Sequence, residues 1–330
     1  MTTTTVRQSA WKRAGTAVEA TSAASAAQQA GLDWTVSLHD LQARYTYPVS
    51  EQENLTIGLP VDNKVGVVKT HNGEASVIGV VGNKYKIVQN MEVFSAMDAL
   101  VDSGDARYTA AGEYNNGASV WMLLELPTGV NVANDPHCAF LLVKTSHDGS
   151  SSVIVKPIIE RLFCSNQINR TIMGKNKNAF TYTMKHTQNN NLSVADISNI
   201  TQLTYESIAL YETVAYDLSA KQVARDKARE YFNRVFPLPK IAENVDYSLL
   251  TQGEKRAMTI ATEARERSWH IYSESDTQEN IRGTAFGLWQ AVIEYADHWK
   301  GGSGDRRALA AITGKSDAIK DRALSIAQLV

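Results

Sequence analysis

Val65-Gly66-Val67-Val68-Lys69-Thr70-His71-Asn72-Gly73-Glu74-Ala75-Ser76-Val77-Ile78-Gly79-Val80-Val81 is two β-branched runs separated by an Asn-Gly pair. Asn and Gly both accept the positive φ of a tight hairpin turn, while β-branched side chains suit a pleated surface, so the stretch predicts an antiparallel hairpin. The same grammar recurs downstream. Ala106 to Tyr114 and Ser119 to Leu126 flank Asn115-Asn116-Gly117, with Pro127 expected to stop the second strand. Cys138 to Ser146 and Ser152 to Phe163 flank His147-Asp148-Gly149. The middle of the chain therefore reads as antiparallel sheet.

Upstream, the Ala-rich stretch from Val18 to Ala30 favours a helix that Gly31 ends. Trp34, Val36 and Leu38 alternate as a short strand, and Gln42 to Lys64 has no sustained period and reads as surface loop. Asn90 is placed to cap a helix running to about Val101. Cys164 to Met173 reads as a short helix and Ala179 to Thr187 as a strand. From Val194 the period changes to 3.6, with Ile197, Ile200, Leu203, Ile208, Tyr211, Val214 and Leu218 on one stripe as far as Phe236, before Pro237-Leu238-Pro239. Further helices are expected over Gly253 to Ser273, Gly283 to Trp299 and Asp317 to Leu329. Sheet followed by helices is an α+β protein: an antiparallel sheet of hairpins with flanking helices, then a helical C-terminal part. Residues 1–33 form an N-terminal arm and helix, 34–192 a mainly antiparallel β domain, and 193–330 a helical region.

With 330 residues, 43% hydrophobic and 21% charged, the chain can bury a real core, so disorder and fibrous repeats are excluded. Cys138 and Cys164 lack CxxC spacing, which excludes a cysteine-only zinc site and a disulfide scaffold. The N-terminus has no apolar signal segment and no window suits a membrane span, so a cytoplasmic location is expected. Gly314-Lys315-Ser316 has Leu309 where a phosphate loop needs glycine, and GxGxxG, GxSxG and HExxH are missing. No two histidines are spaced i,i+4, and His147-Asp148 reads as a turn. Glu263, Glu266, Glu294 and Asp297 read as solvated helix charges. Neither catalysis nor a cofactor is expected.

Charge is segregated. Between Val143 and Asn191 stand Lys144, Lys156, Arg161, Arg170, Lys175, Lys177 and Lys185 against Asp148 and Glu160, a local +5 in a chain of net −2. Within this block, Gly174 to His186 interleaves cations, amides and aromatics. Single-stranded nucleic acid binding needs that mixture, because lysines neutralise phosphates while ring faces stack on bases. Lys175, Lys177 and Lys185 are the candidate phosphate contacts and Phe180 or Tyr182 the stacking surface. Lys84 and Lys86, around Tyr85, and Arg161 and Arg170, around a strand-to-helix junction, are supporting candidates. The competing reading is an ordinary strand with Phe180 and Tyr182 in the core.

Several segments resemble the phage/plasmid-like proteins, a prokaryotic family of mobile elements. They are Ser9 to Thr16 with Ala30 to Val36, Val81 to Asn90, Arg161 to Gln167, and Gly283 to His298. Arg13 stands where that pattern has glycine, and Leu162-Phe163 replaces its Val-Val. The arrangement is also similar to the annealing-recombinase superfamily. Together these imply an ATP-independent protein that binds single-stranded DNA and promotes annealing in phage or plasmid recombination, as a homo-oligomer in the host bacterial cytoplasm. The alternative is a protein-binding or inhibitory factor of a mobile element that never touches DNA.

Overall fold

Two antiparallel sheets carry the fold in the computed structural model, which describes residues 10–50, 53–162, 166–168, 180–186, 194–239, 247–303, 306–307, 310 and 314–330. The order begins with α1 (Ala10–Ala14), β1 (Thr16–Ala20) and α2 (Ala23–Gln29), followed by β2 (Thr35–Ser50), β3 (Glu53–His71) and β4 (Glu74–Gly82). Next come α3 (Asn90–Phe94), a 3-10 turn and α4 (Asp98–Asp102), then β5 (Arg107–Tyr114), β6 (Ser119–Val132), β7 (Asp135–Ser146), β8 (Val153–Arg161), β9 (Asn166–Ile168) and β10 (Tyr182–Met184). Helices α5 (Val194–Ala220), α6 (Arg225–Val235), α7 (Gln252–Glu274), α8 (Ala285–Glu294, continued by a π turn to Trp299) and α9 (Asp317–Ala327) complete it. The architecture is α+β: antiparallel hairpins, flanking helices and a helical C-terminal part. No described helix is long and apolar enough to cross a membrane.

The larger sheet runs β1-β5-β6-β7-β8, and the outer edge of β8 is shared by β10 at its start and β9 at its end. One face is the main core, where Val120, Met122, Leu124, Leu141, Val143, Val153 and Val155 meet the helices. That core is continuous through α5 to α9, so sheet and C-terminal helices are packed together. The opposite face holds a smaller cluster, Trp11, Ala110, Trp121, Leu123, Leu142 and Ile158, closed by α1. Trp11 and Trp121 meet edge-on at 5.0 Å. Two glycines make room for this contact. A Cβ on Gly112 would lie 2.8 Å from Trp121, and one on Gly15 would lie 2.4 Å from the Ala111 carbonyl oxygen.

The second sheet, β2-β3-β4, docks through Lys69 on β3. Its Nζ lies 2.8 Å from a Glu113 carboxylate oxygen and 4.4 Å from the Trp34 ring, whose Nε1 donates to the same carboxylate. On β4, Gly79 lets this sheet abut the turn after β7: a Cβ there would lie 2.8 Å from Asp148 Cα.

Several local expectations are corrected. Val18 to Ala30 is not one helix: Thr16, Ala17 and Ala20 pair with β5, and Ser22 then caps α2 by accepting from Ser25 N–H. Gln42 to Lys64 is not a loop but the long arm of the β2–β3 hairpin. Pro127 does not end β6, because it falls in a register shift between Glu125 and Gly129 where no ladder bond is required. Gln89, with Glu92, forms the capping box of α3, while Asn90 is buried and bonds Leu32 and His147. Asn166–Ile168 is a strand, pairing where β8 leaves an open edge, and the rest of the helix expected over Cys164 to Met173 lies outside the described residues. The helix from Val194 is already broken at Ala220, ahead of Pro237, where Val223 N–H pairs with the Gly283 carbonyl.

Candidate nucleic-acid interface

The period-2 alternation of β7, β8 and β10 decides which side chains leave the core. Val143, Val153, Val155 and Met184 face inward, so their neighbours Lys144, Ile154, Lys156 and Thr183 face the other way. Register brings these neighbours together: Lys144 pairs with Ile154 and Trp121, Leu142 with Lys156, and Thr183 with Ile154. Residues paired across antiparallel strands have Cβ atoms roughly 5 Å apart. Lys185 continues the alternation of β10 and is exposed. Three lysines thus share one end of the second sheet face, beside the half-exposed ring of Tyr114. The Lys144 ammonium lies 5.2 Å from the centroid of Tyr114.

The segment after β4 reaches the same end. Lys86 N–H donates to the His186 carbonyl at 2.9 Å, which seats the Lys84 to Lys86 turn beside Lys185. Tyr85 stacks on His186, with centroids 5.2 Å apart and planes 20° apart, and its hydroxyl donates to the Ser146 carbonyl. Burial, and then Asp148, pushes the Tyr85 phenol well above its usual range. Burial pushes the His186 imidazole down, against a hydrogen bond with the Lys86 backbone that favours the charged ring. His186 is therefore neutral at pH 7, and the positive charge at this end comes from Lys84, Lys86, Lys144, Lys156 and Lys185. The opposite end of the face is different: Arg107 is held by Glu125 at 2.7 Å, and Glu160 stands across from Cys138. Burial and those two glutamates push the Cys138 thiol up.

Of the residues singled out from sequence, Lys84, Lys86 and Lys185 come together, and all three are exposed. Lys175, Lys177 and Arg170 lie outside the described residues. Phe180 is half-buried in a turn ahead of β10. The half-buried Tyr182 points to the other side of the sheet: its ring packs against the main core and its hydroxyl bonds the Asp196 carboxylate, away from the lysine face. Arg161 is a correction. Its side chain is fully buried, ion-paired with Asp135 and donating from Nη2 to the Thr277 carbonyl, so it fastens β8 to the approach to α8 and does not meet solvent. Sequence reading counted Lys144 and Lys156 as charge without naming them as contacts. The signal was present in the alternation Leu142-Val143-Lys144 and Ile154-Val155-Lys156, since a lysine one step from a core valine must point to the other face.

His147 is buried in the main core side of the same end, with Nε2 2.9 Å from Asn90 Oδ1 and its ring edge-on to Trp34. Burial is the largest of the causes that push its imidazole down to about 4, so it is a neutral packing residue at pH 7.

The chain belongs to the family described as a domain of unknown function (DUF932), whose model matches residues 77–323, a span that holds Lys84 to Lys86, β5 to β10 and most of the C-terminal helices. No curated protein and no solved structure matches it.

Proposed function

For this member of an uncharacterised family, we propose ATP-independent binding and annealing of single-stranded DNA, in phage or plasmid recombination, with the host bacterial cytoplasm as its compartment. The observation that carries the reading is the juxtaposition of Lys144, Lys156 and Lys185 on one face of three adjacent strands, with Lys84 and Lys86 at its margin. Phosphates would be neutralised there with counterion release, and Tyr114 and Phe180 supply the partly exposed rings for stacking. The bases stay available for Watson-Crick pairing, which supplies the sequence specificity that annealing needs. The resemblance to mobile-element proteins supports the recombination setting. Lys175, Lys177 and Arg170, which lie outside the described residues, belong to the same proposal as candidate phosphate contacts.

Fluorescence anisotropy with a labelled poly-dT oligonucleotide tests the reading. A Lys144→Glu/Lys156→Glu/Lys185→Glu variant should lose at least tenfold in affinity at low salt with its circular dichroism unchanged. Equal affinity for variant and wild type removes the assignment. The second reading, a protein-binding or inhibitory factor, is favoured by one feature, the solvent-exposed apolar side chains of the β2–β3 arm. It predicts no measurable oligonucleotide binding.

A further inference from the structure

Beyond Asp40 and Val65 the β2–β3 hairpin leaves the body of the protein, and both strands become exposed on both faces as far as its tip. Its register sorts the side chains. Ala43 pairs with Leu59, Tyr45 with Ile57 and Tyr47 with Leu55 on one face; Gln42 pairs with Pro60, Arg44 with Gly58 and Thr46 with Thr56 on the other. One face is thus apolar and the other polar, the latter tied by a 2.8 Å bond between the Thr46 and Thr56 hydroxyls. On the apolar face Tyr45 is 53% exposed, Leu55 46%, Ile57 38%, Leu59 44% and Val61 37%.

We propose that this ribbon is a self-association arm, its apolar face packing on the same face of a second copy of this chain about a two-fold axis. A two-stranded ribbon alone in water is marginally stable, and packing of its apolar face against another element stabilises it. The sequence of β3 is complementary to itself under that symmetry. Antiparallel approach of two β3 strands centred near Gly58 sets Leu55 against Val61 and Ile57 against Leu59, with Glu53 at the tip falling on Asn63 of the second copy. Apolar meets apolar along the seam, with polar residues at both of its ends.

Area decides the strength. Five side chains at those exposures amount to roughly 400 Å² of apolar surface per copy, or roughly 800 Å² for the pair, below the ~1,200 Å² at which stable interfaces begin. The pair is therefore a reversible dimer whose population follows concentration. The inference goes beyond DNA binding and stands or falls separately from it, because the lysine end of the large sheet is untouched by the variants that test it.

Sedimentation velocity of the full chain over a hundredfold concentration range should show the weight-average coefficient rising in the wild type. Tyr45→Ser/Ile57→Ser should shift that rise at least tenfold higher in concentration. Since both side chains are solvent-exposed, the circular dichroism of the variant should match wild type. An Ile57→Cys chain treated with a short bis-maleimide should give a covalent dimer above the wild-type background, while Thr56→Cys, on the polar face, should not. A wild type that stays monomeric throughout, including one whose ribbon captures only a different protein, overturns the proposal. So does association that the Tyr45/Ile57 substitutions leave unchanged.

Discussion

Removing Arg161 should cost folding stability and leave oligonucleotide binding alone. Its guanidinium and the Asp135 carboxylate form an ion pair with side-chain exposures of 1% and 0%, and Nη2 also serves the Thr277 carbonyl. Deleting one partner of such a pair strands the other charge in the core, which costs about 3–5 kcal/mol, whereas replacing both with apolar groups of similar volume is close to neutral. Arg161→Met and Asp135→Leu should therefore each destabilise by about 3–5 kcal/mol, and the double substitution by less than the sum of the two, with a coupling of about 2–3 kcal/mol. The pH dependence adds a second reading. Burial already lifts the Asp135 carboxyl from 3.8 to about 6, against the pull of Arg161, and without the arginine it rises further. A carboxyl with a raised folded pKa contributes stability at acid pH and loses it as pH rises through the folded value. The penalty of Arg161→Met relative to wild type should thus be smaller at pH 5 than at pH 8. Equilibrium urea unfolding of the four chains at both pH values measures all of this. A cost under about 1 kcal/mol for Arg161→Met, or strict additivity in the double variant, refutes the buried pair as described.

Gly112→Ala forces its methyl to within 2.8 Å of Trp121, where Gly15 Cα also stands at 2.9 Å, and should cost about 1–3 kcal/mol, read as a fall of several degrees in Tm. His137 and His147 are held neutral, burial pushing them down to about 3 and about 4 from 6.5. The unfolded chain binds more protons than the folded one between those values, so Tm should fall as pH drops below about 6.5 and level off near pH 3 to 4. A calorimetric series that is flat over that range contradicts their placement. Lys175→Glu/Lys177→Glu should abolish oligonucleotide binding at low salt while leaving the melting profile intact, which an anisotropy titration checks directly.

The sheet was legible where a single residue type forces a local geometry. Asn72-Gly73 and Asn115-Asn116-Gly117 adopt the positive φ that their identities announce, and Gly31 does so after α2. The helical stripe of α5 likewise puts Ile197, Ile200, Ile208, Tyr211 and Leu218 into the core. What escaped was determined by partners far away in sequence. Thr16 to Ala20 becomes a strand because β5 has an open edge, and Ala-rich composition says nothing of that. The β2–β3 arm has no body against it, so the in-out contrast that marks an ordinary strand is weak, although Tyr45, Tyr47, Leu55, Ile57 and Leu59 do alternate. At the candidate site, Lys84, Lys86 and Lys185 were readable as exposed cations, but only the Lys86–His186 backbone bond shows that they meet. Arg161 looked like an anion contact because charge counted along a chain does not distinguish a solvated cation from one whose counter-ion, Asp135, stands on the neighbouring strand. For Tyr182, alternation with Met184 favours the core-strand reading over the stacking one, and its ring packs against the main core.

Salt dependence addresses the lysine face most directly. Each phosphate neutralised on a single strand contributes about −0.7 to the slope of log affinity against log salt. Wild-type chain titrated with labelled poly-dT at several salt concentrations should give a slope of about −2 or steeper, as three or more lysines require. The Lys144→Glu/Lys156→Glu/Lys185→Glu chain should give a slope shallower by about 2. A wild-type affinity that is indifferent to salt, or a slope the three substitutions leave in place, contradicts a polyanion site on this sheet.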